Sequence, residues 1–214
     1  MLHKRTNRDL LRRTSPGEGG YPAAGGALPS VHADYQARAW GLKWRASGET
    51  PPGELSLAAT ADNGLVLTRR LRLTDFGLEE ETSVSNPGAE PVAAVLRSSI
   101  DLDPGEIDSA SVRFRRVDGG ETVRPLIRPE EPPTGLETWS GGALPAGQWR
   151  LENARAGLLA ASRFDPQAVE RAQLSWTGKD PRRATLVLWS KPAALRTGET
   201  LRLRTEHGLP AAAK

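Results

Sequence analysis

Short stretches in which apolar and polar residues alternate dominate the chain after residue 54. In residues 65–73, four leucines occupy odd-numbered positions, and threonine and arginine fill most of the even-numbered ones. A strand has a period of two and puts these leucines on one face, whereas a helix would scatter them. Residues 54–61 alternate in the same way, and Asp62-Asn63-Gly64 lies between the two stretches. Two strands joined by a tight hairpin turn are therefore predicted here.

Similar stretches follow, separated by Gly, Pro, Asn and Asp. The further segments predicted as strands are 78–84, 91–100, 110–116, 121–128, 148–152, 157–163, 169–176, 183–190 and 200–206. No amphipathic helix is predicted, and residues 129–147 are predicted to be a long loop that could carry function. About ten short strands with turns at regular intervals indicate an all-β antiparallel β-sandwich with long loops and little helix. No linker interrupts the pattern, so residues 1–214 are expected to form a single domain.

Composition excludes several classes of site. The chain has no Cys, which excludes disulfides, iron–sulfur clusters and thiol nucleophiles, and its three His make a histidine metal site improbable. Nucleotide-binding glycine motifs do not occur, so no cofactor is expected. The net charge of +3 is spread along the chain, which does not favour a nucleic-acid partner. Neither a membrane-spanning stretch nor a signal peptide is found, so a cytoplasmic location is expected by default, and secretion if the chain is a fragment.

Tryptophan is the most unusual part of the composition, with six among eleven aromatic residues. Trp40, Trp44 and Trp139 lie in predicted loops, where they could equally pack beneath the loops or stack on a sugar ring. The other three lie in predicted strands and are expected in the sandwich core.

Acidic, serine and histidine residues offer only weak catalytic patterns. Asp101 and Asp103 would share a face of a strand, but the sequence DLDPGE is more typical of a turn. A triad of Ser98 or Ser99 with His32 and Asp101 lacks the Gly-x-Ser-x-Gly elbow. Further carboxylates considered for glycosidic chemistry are Glu130, Glu131, Glu137 and Asp180.

The order of these motifs resembles a known family. Residues 65–103 look like the middle of galactose-mutarotase-like domains, the β-supersandwich of aldose epimerases and of many glycoside hydrolases. Residues matching the family's hairpin pattern are Val84, Asn86, Gly88 and Pro91. The start HKRTNRDLLR, the Tyr21-Pro22 segment with Gly25-Gly26, and the end of the chain from 169 to 206 are similar to the opening and closing patterns of the same domains.

The resemblance implies a sugar-binding fold whose catalytic residues are missing here. Active epimerases use a pair of histidines and a carboxylate, but the strand end that would supply one histidine is Arg97-Ser98-Ser99 in this sequence. We therefore expect a noncatalytic carbohydrate-binding or accessory domain of glycoside hydrolases, either freestanding or part of a longer enzyme. Trp40, Trp44 and Trp139 would stack on the sugar, while Arg97 and Asp101 would bond its hydroxyl groups.

Two other functions stay open. The chain could be an aldose epimerase-like enzyme using His32 with Asp101 or Glu137. It could also be a structural domain that packs on a catalytic domain or partner chain.

Overall fold

The computed structural model describes Leu2–His3, Arg8–Asp9, Ser30–His32 and residues 43–61, 63–128, 130–178 and 183–209. The strands in these residues are β1 (Leu2–His3), β2 (Arg8–Asp9), β3 (Ser30–His32), β4 (Arg45–Ala46), β5 (Glu54–Thr60), β6 (Val66–Leu73), β7 (Gly77–Ser85), β8 (Val92–Leu102), β9 (Ala110–Arg115), β10 (Glu121–Pro125), β11 (Thr134–Ser140), β12 (Gln148–Asn153), β13 (Leu158–Phe164), β14 (Val169–Thr177), β15 (Arg183–Ser190), β16 (Ala193–Leu195) and β17 (Thr200–Gly208). Single 3-10 turns at Ile107–Ser109 and Gly141–Ala143 are the helical elements described, and neither approaches the length or apolar content of a membrane span. The predicted all-β class is confirmed.

The strands form two large antiparallel sheets that pack face to face. The nine-stranded sheet has the order β10-β9-β12-β13-β17-β7-β6-β5-β4. The six-stranded sheet has the order β11-β14-β15-β8-β16, with β3 also paired to β8. Strands β1 and β2 pair with each other. This arrangement is the predicted antiparallel β-sandwich.

The predicted hairpin between β5 and β6 is confirmed. The two strands pair antiparallel, and the amide of Gly64 donates to the carbonyl of Ala61 at 2.9 Å. Gly64 has a φ of +82°, a backbone conformation that glycine adopts without steric penalty.

Asn86, in the family-like hairpin, joins the two sheets. Its side chain is buried, and its Nδ2 donates to the carbonyls of Glu90 at 2.7 Å and Leu195 at 2.9 Å. Its Oδ1 accepts the amide of Gly88 at 2.9 Å. One side chain therefore holds the connection from β7 to β8 against β16.

The prediction of a loop throughout residues 129–147 is wrong, because β11 lies within it and pairs with β14 along its whole length. The strand was not predicted because it contains Gly135, and glycine usually weakens a strand. Here a Cβ at position 135 would lie 2.3 Å from Cζ2 of Trp176, its cross-strand partner. The glycine therefore makes room for the indole ring. Strand β16 was also not predicted.

An aromatic cluster fills the space between the sheets. The ring centroid of Trp139, on β11, lies 4.9 Å from that of Phe114 and 6.4 Å from that of Trp149, and both pairs have edge-to-face geometry. Trp149 in turn lies 6.2 Å from Phe164. Each such pair contributes about 0.5–1.5 kcal/mol beyond its buried area. Because Trp139 comes from one sheet and the other three rings from the opposite sheet, the cluster fixes how the sheets pack.

Candidate functional site

The six-stranded sheet has one face in the core and one turned away from it, which we call the outer face. Along β8, Leu96 and Ile100 belong to the main core, whereas Arg97, Ser99 and Asp101 alternate with them. Successive side chains of a strand point to opposite faces. The constant spacing of two residues therefore places Arg97, Ser99 and Asp101 together on the outer face.

Trp189 lies on the outer face, one residue before the end of β15. Its cross-strand partners are Arg97 on β8 and Arg171 on β14. Their guanidinium carbons lie 5.7 Å and 4.7 Å from the centroid of the Trp189 ring, which is the range of cation–π contacts. The indole Nε1 donates to Oε1 of Gln173 at 2.6 Å. These contacts hold the indole ring in one orientation, next to the polar side chains of Arg97, Arg171 and Gln173.

The carboxylate on this face belongs to Asp101. Its Oδ1 accepts the hydroxyl of Thr185, the cross-strand neighbour, at 2.5 Å. Oγ of Ser99 accepts a hydrogen bond from Nη1 of Arg97 at 3.2 Å. Asp101 is 8% and Trp189 7% exposed, so the outer face is sheltered from solvent. Burial also lowers the pKa of Arg171, although the charge of Glu170 partly offsets this effect.

The outer face combines an apolar cluster with hydrogen-bonding groups. Val95, Val187 and Trp189 form a small apolar cluster separate from the main core. Beside it stand two guanidinium groups, an amide and a carboxylate. An apolar platform edged by hydrogen-bonding groups is typical of sites that hold a polyhydroxylated ring.

The structure brings together two of the five predicted sugar-binding residues. Arg97 and Asp101 share the outer face, four residues apart on β8. Trp139 is 7% exposed and lies in the core, where aromatic rings contact it. Trp44 is half-buried and packs against the main core beside β4. Trp40 lies outside the described residues. A sugar-stacking role for these tryptophans stays a prediction, and none of the described contacts supports it.

Trp189, Arg171 and Gln173 were not singled out from the sequence. Trp189 was expected in the main core because it lies in a strand, and it is indeed buried, but on the opposite face of the sheet. The alternation of Thr185, Val187 and Trp189 along β15 was the available signal. It indicates a shared face but not which face points outward.

The acid–base pair considered for an epimerase is not assembled in the described structure. The backbone of His32 pairs in register with Val95, six residues from Asp101 on β8. Six residues of strand span about 20 Å, much more than one sugar ring. Asp103 accepts the amide of Gly105 at 3.0 Å, as expected for a turn. Asp180 lies outside the described residues.

Glu137 faces the sandwich interior, not the outer face. It accepts a hydrogen bond from Nε of Arg124, whose guanidinium also binds Glu131 and lies 4.5 Å from the ring centroid of Trp176. Burial raises the pKa of Glu131, but the hydrogen bond and charge of Arg124 outweigh it, and the net shift is downward. These carboxylates neutralise a buried arginine and are not available as a catalytic pair with Asp101.

A Ser–His contact lies in the interior as well. Oγ of Ser162 is 2.8 Å from Nδ1 of His207, and Oγ1 of Thr205 is 3.2 Å from Nε2. His207 is 3% exposed, and burial lowers its pKa, with Arg69 adding to the effect while Glu80 and Glu206 oppose it. Both ring nitrogens are therefore engaged in hydrogen bonds within the sandwich. In the described part of the chain, no group of three or more His, Asp or Glu is arranged to hold a metal ion.

Comparison with known proteins identifies the fold. The Slr1438 protein of Synechocystis sp. PCC 6803 is 12% identical, with a TM-score of 0.69 over 94% of this chain and 85% of its own. A galactose mutarotase-like protein of Lactobacillus casei ATCC 334 is 11% identical, with a TM-score of 0.67 over 98% and 92%. A galactose mutarotase related enzyme of Lactobacillus acidophilus is 8% identical, with a TM-score of 0.57 over 80% and 72%.

No family model and no curated protein matches the chain. The chain has the galactose-mutarotase-like fold, as the sequence resemblance implied.

Proposed function

We propose that this chain, which has the galactose-mutarotase-like fold, is a noncatalytic carbohydrate-binding or accessory domain that works with a glycoside hydrolase. Its sugar would bind at the outer face of the six-stranded sheet. The observation that carries the proposal is the placement of Trp189 between Arg97 and Arg171, with Asp101 on the same face.

Each group has a role suited to a neutral sugar. The indole of Trp189, which is 7% exposed, would offer a flat apolar surface for the C–H face of a ring once a guanidinium group moves off it. Arg97 would donate hydrogen bonds to hydroxyl oxygens, and Asp101 would accept from a hydroxyl hydrogen. Arginine side chains are long and flexible, so Arg97 can move from the indole to the ligand. Because the face is sheltered, each hydrogen bond formed there would be stronger than in open solvent.

Calorimetric titration of the chain with a panel of mono- and oligosaccharides tests the proposal. We expect saturable binding with a dissociation constant in the millimolar range or tighter. Asp101→Asn retains the size of the side chain and an oxygen for Thr185, but it removes the charge. It is expected to weaken binding about tenfold, as for loss of one charge-assisted hydrogen bond.

Asp103→Asn is the matched control, because Asp103 lies after the end of β8, where its carboxylate accepts the amide of Gly105 in a turn. It should leave sugar affinity unchanged, and melting curves should show that both variants are folded. Absence of binding across the panel, or equal weakening in the two variants, would remove the outer face as the sugar site.

An aldose epimerase-like activity is the second candidate, favoured by the structural similarity to the galactose mutarotase related enzyme of Lactobacillus acidophilus. Ring opening needs an acid and a base positioned together. The register separates the backbone of His32 from Asp101 along β8, as described above. We therefore expect polarimetry on freshly dissolved α-glucose and α-galactose to show the buffer rate. Acceleration by the protein that Asp101→Asn abolishes would establish the enzyme instead.

A further inference from the structure

A second site candidate lies on the nine-stranded sheet, whereas the outer-face residues of β8 belong to the six-stranded sheet. A surface pocket of about 450 Å³ is lined by three arginines, Arg113, Arg115 and Arg150, together with Gln148, Glu121 and the Gly119-Gly120 turn. We call it the arginine pocket. Its arginines alternate along β9 and β12 with buried core residues, so they project from the sheet face that is turned away from the core.

The charges of the arginine pocket are poorly compensated. Arg113 and Arg150 are direct cross-strand partners, a placement of like charges that destabilises a sheet. Arg113 approaches Glu121 at 3.4 Å and Glu152 at 3.5 Å, which are both longer than a strong charge-assisted hydrogen bond. Arg115 lies opposite Glu121 across the strands, but among the residues that the structure describes neither Arg115 nor Arg150 forms an ion pair with a carboxylate. Three guanidinium groups and one carboxylate thus line the pocket, and with Glu152 beside Arg113 counted, one positive charge is left in excess.

One wall of the arginine pocket is a pre-formed turn. Asp118 accepts the amide of Gly120 at 3.0 Å and lies 3.1 Å from Nε of Arg116. Gly119 has a φ of +90°, and a Cβ at Gly120 would collide with the Arg116 guanidinium at 2.2 Å. Glycine is therefore favoured at position 119 by its backbone conformation, whereas a side chain at position 120 would displace the flexible end of Arg116.

We propose that the arginine pocket binds a phosphate group, either free or as a small phosphate ester. Guanidinium forks match the oxygen spacing of phosphate and hold it through paired hydrogen bonds. A bound phosphate would place negative charge beside the cross-strand pair Arg113 and Arg150 and would offset the repulsion between them. The volume lies in the range of small-molecule sites, and Gln148 offers an uncharged donor and acceptor for an ester's hydroxyl groups. This site is independent of the proposed sugar site, since it belongs to the other sheet.

Calorimetric titration with inorganic phosphate, glucose 6-phosphate and glucose tests this proposal in low-salt buffer. The variants are Arg115→Gln and Arg150→Gln, chosen because removing either side chain breaks no ion pair within the described residues. We expect saturable binding of phosphate and of glucose 6-phosphate, weakened about tenfold in each variant. Tighter binding of the ester than of phosphate would identify an ester as the ligand, and equal binding would identify the free anion.

Arg202→Gln is the matched control, because Arg202 is an exposed arginine on β17 of the same sheet and does not line the pocket. It should retain wild-type phosphate affinity. Equal weakening in all three variants would overturn the proposal, since it would show a diffuse effect of net charge. Absence of saturable binding of both phosphate and glucose 6-phosphate to the wild-type chain would overturn it too. All variants should melt as the wild type does, because the substituted side chains are exposed.

Discussion

Replacing Asn86 with alanine should destabilise the sandwich strongly, because one side chain makes three hydrogen bonds to backbone groups. Two of these hydrogen bonds, to the carbonyl of Glu90 and from the amide of Gly88, lie within the connection from β7 to β8. The third binds the carbonyl of Leu195, a residue that is 3% exposed. Loss of a hydrogen bond that leaves a buried acceptor unpaired costs about 1–3 kcal/mol, and each of the other two contributes about 0.5–1.5 kcal/mol.

A loss of about 3 kcal/mol in the free energy of unfolding is therefore expected for Asn86→Ala. In a domain of this size it corresponds to a fall in Tm of about 6–12 °C. The assay is thermal and urea unfolding followed by tryptophan fluorescence. Asn86→Asp retains an oxygen for the amide of Gly88, but it places a carboxylate against two carbonyls. We expect it to be at least as unstable as Asn86→Ala.

Asn63→Ala is the control for this series. Asn63 is an exposed turn residue with one hydrogen bond to the amide of Leu65 at 3.3 Å. Its replacement should change stability by no more than about 0.5 kcal/mol. The reasoning would be refuted by equal losses for Asn63→Ala and Asn86→Ala, or by an Asn86→Asp variant as stable as the wild type. Either result would show that the buried carbonyl of Leu195 does not depend on Asn86.

Burial lowers the pKa of His207 in the folded chain. Below about pH 6.5 the unfolded chain therefore binds a proton at this histidine that the folded chain does not, and the free energy of unfolding decreases as the pH decreases. His207→Gln should flatten the dependence of the unfolding free energy between about pH 6.5 and 5, measured by urea titration. Gly208→Ala should lower the free energy of unfolding by about 3 kcal/mol or more, or prevent folding, because its Cβ would lie 2.1 Å from the carbonyl oxygen of Phe76. The yield of folded protein and its Tm measure this effect. Arg124→Met removes the ion-pair partner of Glu137 and one of the two partners of Glu131, and it should cost about 2 kcal/mol in urea unfolding. Arg128→Met, at an exposed site, should cost under about 0.5 kcal/mol.

Each of these predictions has a result that contradicts it. An unchanged pH profile in His207→Gln would mean that another group accounts for the acid sensitivity. A stable Gly208→Ala variant would mean that β7 and β17 can separate without loss. Equal effects of Arg124→Met and Arg128→Met would mean that burial of Arg124 does not strengthen its ion pairs.

Most strands could be predicted because their signal is local. The segment predicted at 183–190 has the bounds of β15, and the one predicted at 148–152 differs from β12 by one residue. Strand β11 was not predicted, because Gly135 is needed there to make room for the Trp176 ring. That requirement comes from the tertiary structure and leaves no local sequence pattern. Likewise, Asn86 was identified as a turn residue, but its bond to Leu195 spans 109 positions of sequence.

The candidate site shows the same division. Alternation alone places Arg97 and Asp101 on one face of a strand, because the pleat reverses side chains at each residue. Trp189 and Arg171 join them only because β8, β15 and β14 are neighbours in the sheet, and Glu137 faces inward because β11 pairs with β14 in one particular register. By itself, the sequence determined the strands, the turns and the all-β class, which depend on interactions between residues close along the chain. Strand order and register, set by the burial of whole sheets against each other, decided which side chains meet and which face they share.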